Sequence, residues 1–422
     1  MSVLLKIQHV LRNKDIRRLA DNFFSLSALK IVNLILPLVT LPYLIKVLGF
    51  HYYGAIILAL SLITYFQALT DYGFNLSATR EIARHRHSQK QLNFIYSKTI
   101  WSKLILLFVS LTLLLPLIYF VPQFKEDSII FFLMCLMLIG NTMFPEWFFR
   151  GMERMRYITI LDLLVKILFT IGVFIFIHQP QDYWLYPLLF GCGYITIAII
   201  SYYIIYRNFS IKLRGVKIYQ IASTLRKGFP LFINQFVPNF YNNTTNFLVG
   251  ILLGNSAAGV FGAIRQIVTI LNVFNSVVST VVFPYLIRHK EKFYLYSKYY
   301  ICFFALLAII VYVIHSWIFQ WIGIVNEQAS IVFLTLVAGV MSVVVYHVYS
   351  TNYLIARGYD KLVMKVTITV SFLGLMASYP LIMNFGLVGG AINIFACQFL
   401  LGMTAFIIFK KVESQKNQLM ET

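Results

Sequence analysis

Three cationic side chains, Lys30, Arg80 and Arg265, lie inside or at the edge of long apolar stretches, where a charge at the bilayer centre costs roughly 2.5–3.5 kcal/mol on insertion scales. Amides and hydroxyls surround them at helical spacing. Gln235, Asn239, Asn242 and Asn246 follow one another by four, three and four residues in FINQFVPNFYNNTTNF, which places them on one side of a helix. Arg265, Thr269, Asn272, Ser276 and Ser279 repeat that pattern, Lys30, Asn33, Pro37 and Thr40 form a third stripe, and Thr64, Gln67, Asp71 and Asn75 a fourth. Guanidinium and ammonium groups hold phosphate through charge-assisted hydrogen bonds. With Asn, Gln and Thr beside them for hydroxyls, the set suits a phosphate carrying a sugar. A lipophilic cation would need carboxylates, and on these faces the acid is Asp71.

Composition sets the elements that must position these residues. The chain has 422 residues, 59% of them hydrophobic and 12% charged, with a mean hydropathy of +0.78. Twelve apolar runs fall near 22–46, 53–75, 99–121, 128–149, 157–178, 184–206, 229–253, 257–286, 297–322, 328–355, 364–384 and 386–409, each long enough to cross a hydrocarbon core of about 30 Å. The expectation is an all-α polytopic membrane protein of 12 transmembrane helices. Met1–Asp21 is basic and polar and the first run is too long for a signal h-region, so no cleaved leader is expected.

The net charge of +20 is distributed by topology. Lys and Arg gather before the first run and after the second, fourth, sixth, eighth and tenth, while the alternate loops hold only Lys46 and Lys125. This is the positive-inside pattern, and it puts both termini in the cytoplasm. Nucleic acid is therefore not the partner; attraction to anionic membrane lipids is a secondary effect. Cys135, Cys192, Cys302 and Cys397 sit singly in four different runs, implying neither a disulfide framework nor a metal site.

The two halves repeat. Leu48-Gly49 followed by Gly54 matches Leu253-Gly254 followed by Gly259 at an offset of 205, and Arg150-Gly151-x-Glu153-Arg154 matches Arg357-Gly358-x-Asp360-Lys361 at 207. Two copies of a six-helix unit pointing the same way imply a pseudo-twofold axis along the membrane normal and a central cavity between lobes. The lobes are expected at 1–206 and 229–422, joined by a basic cytoplasmic linker at 207–228. The four polar stripes lie on runs one, two, seven and eight, which should line that cavity, whereas runs three, six and eleven show nothing comparable. Asp162 with Lys166 and Glu146 with Arg150 are four apart and neutralise each other; His315 and His347 are lone.

Nothing here is arranged for catalysis. There is no Walker A run, no GxSxG, no cluster of His or carboxylates and no long loop to hold a catalytic domain, so no cofactor is expected. Gly73-Phe74-Asn75-Leu76-Ser77-Ala78-Thr79-Arg80-Glu81-Ile82-Ala83 resembles the characteristic segment of Wzx-type polysaccharide flippases, and Pro145-Glu146-Trp147-Phe148-Phe149-Arg150-Gly151-Met152-Glu153 resembles their second recurrent motif. The resemblance places the chain in the multidrug/oligosaccharidyl-lipid/polysaccharide exporter superfamily. It implies a two-lobed transporter in the bacterial cytoplasmic (inner) membrane, moving undecaprenyl-diphosphate-linked glycan units outward by alternating access for O-antigen or capsule assembly. A coupling H+ or Na+, with Asp71 the first candidate, stays open, as do polysaccharide polymerase and chain-length regulator proteins as partners. A multidrug/ion antiporter of the same superfamily is the alternative. A membrane-embedded glycan polymerase would need a large outer loop, which this sequence lacks.

Overall fold

The computed structural model describes residues 14–288, 290–324 and 326–421; within these, side chains are described except those of 14–31, 33, 34, 234, 280, 281, 284, 285, 287, 288, 290 and 416–421. Lys30 and Asn33 thus lie outside the described side chains. A lipid-embedded segment must satisfy its own backbone N–H and C=O groups, and among the described residues the chain is helical with no strand. In order come α1 (Lys14–Asp71), α2 (Phe74–Arg84), α3 (Gln89–Phe120), α4 (Ser128–Met143), α5 (Glu146–Gly151), α6 (Met155–Phe176), α7 (Leu185–Phe209), α8 (Ile218–Phe236), α9 (Asn239–Leu253), α10 (Asn255–Arg288), α11 (Phe293–Ile322) and α12 (Ala329–Tyr346). A π-helical stretch, His347–Leu354, follows, and α13 (Asp360–Glu421) comes last among the described residues.

Nine helices among the described residues are long and apolar enough to cross a membrane. The difference from twelve apolar runs has a local cause. Two of the nine, Ile35–Arg84 and Asp360–Gln415, each hold a sharp bend, at Gly49 (φ 72°) and Gly386 (φ 57°), and so contain two expected runs apiece. The run at 229–253 is split, because Pro238 lacks an N–H and disfavours helical geometry at Val237, leaving α9 only 15 residues.

The chain divides into two compact units: the first holds the chain up to Pro37 together with Ile63–Gln235, the second Leu38–Leu62 together with Phe236 onward. In unit one the second of the two motifs is mostly core. Trp147, Phe148 and Phe149 are fully buried, and Phe148 meets Tyr96 and Phe209 edge-on at 5.6 and 5.3 Å. Such contacts add about 0.5–1.5 kcal/mol each beyond burial. In unit two Phe293, Tyr353 and Phe409 form a comparable cluster.

Backbone geometry sharpens the repeat. Gly49 (φ 72°, ψ 170°) and Gly254 (φ 88°, ψ 172°) adopt the same conformation 205 residues apart. The Arg-Gly match at 207 is out of register by two. Glu153 (φ 53°) and Gly358 (φ 87°) are the equivalent left-handed caps, each with its N–H on the carbonyl three residues back, Arg150 or Ile355, at 3.0 Å. The next residues, Arg154 and Tyr359, likewise donate to Phe149 and Leu354 at 2.9 and 3.0 Å. Both copies therefore share one offset, 205; the Arg-Gly similarity misled because glycine takes the left-handed cap in the second copy while Glu153 takes it in the first, at a cost of roughly 1–2 kcal/mol.

The matched glycines that follow the two Leu-Gly turns pack on each other inside unit two. A Cβ on Gly54 would lie 1.7 Å from the Asn255 carbonyl oxygen, and one on Gly259 2.2 Å from that of Phe50. Neither obstacle is a side chain that can swing away. Gly54→Ala should therefore lower stability by about 1–3 kcal/mol, the usual cost of overpacking, read as a drop in unfolding temperature of the purified protein; an unchanged midpoint would contradict this packing.

Candidate substrate-binding site

In unit one, α1 stops at Asp71 because Tyr72 (φ 43°) and Gly73 (φ 74°) are both left-handed. α8 holds that break: the Tyr72 ring stacks on Phe232 at 4.7 Å, and a Cβ on Gly73 would come 2.8 Å from that of Leu231. Asp71 and Asn75 therefore do not share one continuous helical face, contrary to the spacing argument. Backbone strain of this kind persists only where packing enforces it. Asn75 begins a local bond, since Thr79 Oγ1 lies 2.9 Å from its carbonyl oxygen and 3.1 Å from that of Trp147.

Asp71 Oδ1 accepts a hydrogen bond from Lys103 Nζ at 3.3 Å, and the Lys103 side chain is only 2% exposed. The expectation that the third run shows no polar stripe comparable to the other four is corrected here. Ser97, Thr99, Ser102, Lys103 and Ser110 of α3 are all buried. The signal was present, since Thr99, Lys103 and Ser110 are four and seven residues apart and so share a side of the helix. The expected pairs Asp162 with Lys166 and Glu146 with Arg150 are both formed. Arg80 is exposed and lines a basic recess between α2, α3 and α8.

In unit two, α9 and the first half of α10 bring several predicted residues together. Arg265 Nη1 donates to the Asn242 carbonyl oxygen at 2.8 Å, and among the described residues no carboxylate pairs with this guanidinium. Asn242 and Asn246 are one turn apart, as are Arg265 and Thr269, whose hydroxyl donates back to the Arg265 carbonyl at 2.8 Å. Asn246 Oδ1 and Asn272 Oδ1 are buried and without a partner among the described residues, while Asn239 Oδ1 accepts from Asn243 Nδ2 at 2.7 Å. Gln235 falls outside this group, because the break at Val237–Pro238 leaves it exposed at the end of α8 in unit one. The arrangement offers one uncompensated cation and two unsatisfied amides, which fits an anion bearing hydroxyls and holds no nucleophile or base for catalysis.

A second polar group in unit two was foreseen only at Ser279. Tyr300 donates to the Asn275 carbonyl at 2.8 Å, Asn352 Nδ2 to Tyr296 at 2.6 Å, and Ser279 to Asn352 Oδ1 at 3.3 Å. Asn275 and Asn352 are fully buried. At the 205 offset, Thr70 and Thr142, which bond each other at 3.0 Å in unit one, correspond to Asn275 and His347. Tyrosines in an apolar run read as core, so only the fold exposes them as bonding partners. Among the described residues no group of three His, Cys, Asp or Glu could hold a metal ion.

Comparison with known proteins follows the same line. A family model described as "Polysaccharide biosynthesis protein" matches residues 19–290, well over half of the chain. A protein of Escherichia coli (strain K12) named "Putative O-antigen transporter" is 24% identical over 389 residues, covering 90% of this chain and 94% of that protein. One of the same name from Shigella dysenteriae is 24% identical over 374 residues, covering 86% and 92%. Among solved structures, an inward-facing multidrug resistance MATE family transporter of the MOP superfamily has a TM-score of 0.69 at 16% identity, covering 92% of this chain and 99% of that one. The lipid II flippase MurJ in an inward closed conformation has a TM-score of 0.67 at 13% identity, covering 92% and 87%. At these identities the two structures establish likeness of fold.

Proposed function

The chain belongs to the polysaccharide biosynthesis protein family, a multi-pass membrane transporter and not an enzyme, and from that membership we propose that it flips a lipid-linked oligosaccharide. The substrate would be an undecaprenyl-diphosphate-linked glycan unit, taken from the cytoplasmic to the outer leaflet of a bacterial inner membrane by alternating access. In this reading the chain crosses the membrane twelve times with both termini cytoplasmic, in two lobes at 1–206 and 229–422 joined through 207–228. Lys30, Asn33, Asp71, Asn239, Asn242, Asn246, Arg265, Thr269 and Asn272 would face the transported headgroup, whereas Asn75 and Gln235 lie beyond the helix breaks.

The observation that carries this reading is Arg265, a cation in a membrane helix with no carboxylate partner among the described residues and with unsatisfied amides on its own and the adjoining helix. Intramembrane charges are costly and mark transport paths. A phosphate would supply the missing counter-charge, and the amides would meet sugar hydroxyls. Asp71 is already matched by Lys103, so it would not repel that phosphate, and a proton or Na+ acting there would have to compete with the ammonium. An anion moving outward across an inside-negative membrane gains roughly 2.3 kcal/mol per charge per 100 mV, which favours export without a chemical step.

The test is removal of the protein from cells that assemble the glycan. Loss of surface polysaccharide, with lipid-linked units accumulating on the cytoplasmic leaflet, is the expected result. Normal surface polysaccharide with raised drug accumulation would instead identify a multidrug antiporter.

A further inference from the structure

The first recurrent motif runs into a recess that the transport reading does not use. It is a cavity of about 380 Å³ in unit one, walled by α2, α3 and the start of α8. Arg80 and Arg84 enter it from α2, Lys98 from α3 and Lys227 from α8. Glu81 is the acid of the lining, and it is held by Lys98 at 2.5 Å. Three further cations, Arg80, Arg84 and Lys227, therefore face one space with no ion pair among the described residues. Charges of one sign in a concave site focus the potential and attract a counter-ion.

The rim says what kind of anion fits. Phe94 and Tyr219 line the recess and are exposed, Tyr219 by 63%. Ile218 and Phe229 of α8 are also exposed, by 72% and 51%. α8 thus sets apolar and aromatic side chains beside Arg226 and Lys227, the make-up of a helix that lies in the membrane interface. A soluble anion has no use for an apolar rim, whereas the phosphate of a lipid brings its own hydrocarbon. The Tyr72–Gly73 break, with Phe232 and Leu231 packed on it, fixes α8 against α2 and so fixes the recess.

We infer that this recess is a docking site for a lipid-borne phosphate headgroup at the membrane surface, separate from the Arg265 cluster. It rests on the transport reading for its side of the membrane: on that topology it opens to the cytoplasm, where a lipid diphosphate made in that leaflet would meet the protein first. Arg80 and Arg84 are one helical turn apart and can hold two phosphate oxygens each through their planar forks. Lys227 closes the third side as a point charge.

The experiment uses the full chain in phosphatidylcholine nanodiscs, titrated separately with undecaprenyl diphosphate and with phosphatidylglycerol. Substituting Arg80→Gln, Arg84→Gln and Lys227→Gln together leaves the Lys98–Glu81 pair intact, and should weaken diphosphate binding at least tenfold at moderate salt. Loss confined to the diphosphate identifies the transport substrate as the ligand; equal loss for phosphatidylglycerol identifies any anionic headgroup, and both support the site. Unchanged binding of both lipids overturns it. Glu81→Gln frees the Lys98 charge and should tighten binding, a change that misfolding cannot imitate, so unchanged or weaker binding by that variant also counts against the site. Surface polysaccharide in cells carrying Arg265→Ala is scored in parallel: an intact Arg265 requirement with no effect of the triple variant sinks the recess alone, while retained recess binding with no glycan phenotype in a deletion strain sinks the transport reading alone.

Discussion

Asp71→Asn is expected to destabilise the protein by about 3–5 kcal/mol, the range for breaking a buried ion pair from one side. The reason is asymmetry of burial. Lys103 is 2% exposed and Asp71 30%, so removing the carboxylate leaves an ammonium that no water reaches, whereas removing the ammonium leaves a carboxylate still partly solvated. At 3.3 Å the Coulomb attraction is about 5 kcal/mol at an effective dielectric of 20, and the single change forfeits it while the desolvation cost of Lys103 stays. Lys103→Met should accordingly cost less, and the double variant should recover most of the loss, because two neutral groups can pack where one stranded charge cannot. Thermal unfolding of the four proteins in one detergent closes the cycle. If Asp71→Asn unfolds at the wild-type temperature, the pair does not hold unit one together.

The second large effect is functional. Arg265→Ala should cut surface polysaccharide about 10- to 100-fold at equal protein level, following from about 1.5–3 kcal/mol for a hydrogen bond to a charged group. Arg265→Lys separates two contributions, since lysine keeps the charge without the planar fork that reaches the Asn242 carbonyl. Partial recovery with Lys means that charge dominates; none means that geometry does. The protein itself should remain folded, as the Arg265 side chain has no acidic partner to strand among the described residues. A normal glycan coat with Arg265→Ala would remove this residue from the transport path.

Much of the molecule was legible before any coordinates. Class followed from hydropathy, since nothing but helices satisfies the backbone over so many apolar runs. The Gly49 and Gly254 turns were legible because a left-handed φ selects glycine, and the Asp162–Lys166 and Glu146–Arg150 pairs because they are local, four residues apart on one helix. Arg265 with Asn242 was legible because both lie on polar stripes whose period is that of the helix.

What stayed hidden was non-local or broke the period. Lys103 is 32 residues from Asp71, and no spacing rule links α3 to the end of α1. The stripes at Thr64–Asn75 and Gln235–Asn246 were read through breaks at Tyr72–Gly73 and Val237–Pro238 that turn their last or first member away. The repeat register at the fourth helix was misread by two residues, because the cap is defined by hydrogen bonds and a sign of φ, which Glu153 adopts without the glycine that would announce it. The sequence by itself thus determined that this is a helical membrane transporter with cations on polar faces. Tertiary structure alone decided which cations are neutralised and which stay available for an anion, because pairing of charges depends on which helices become neighbours.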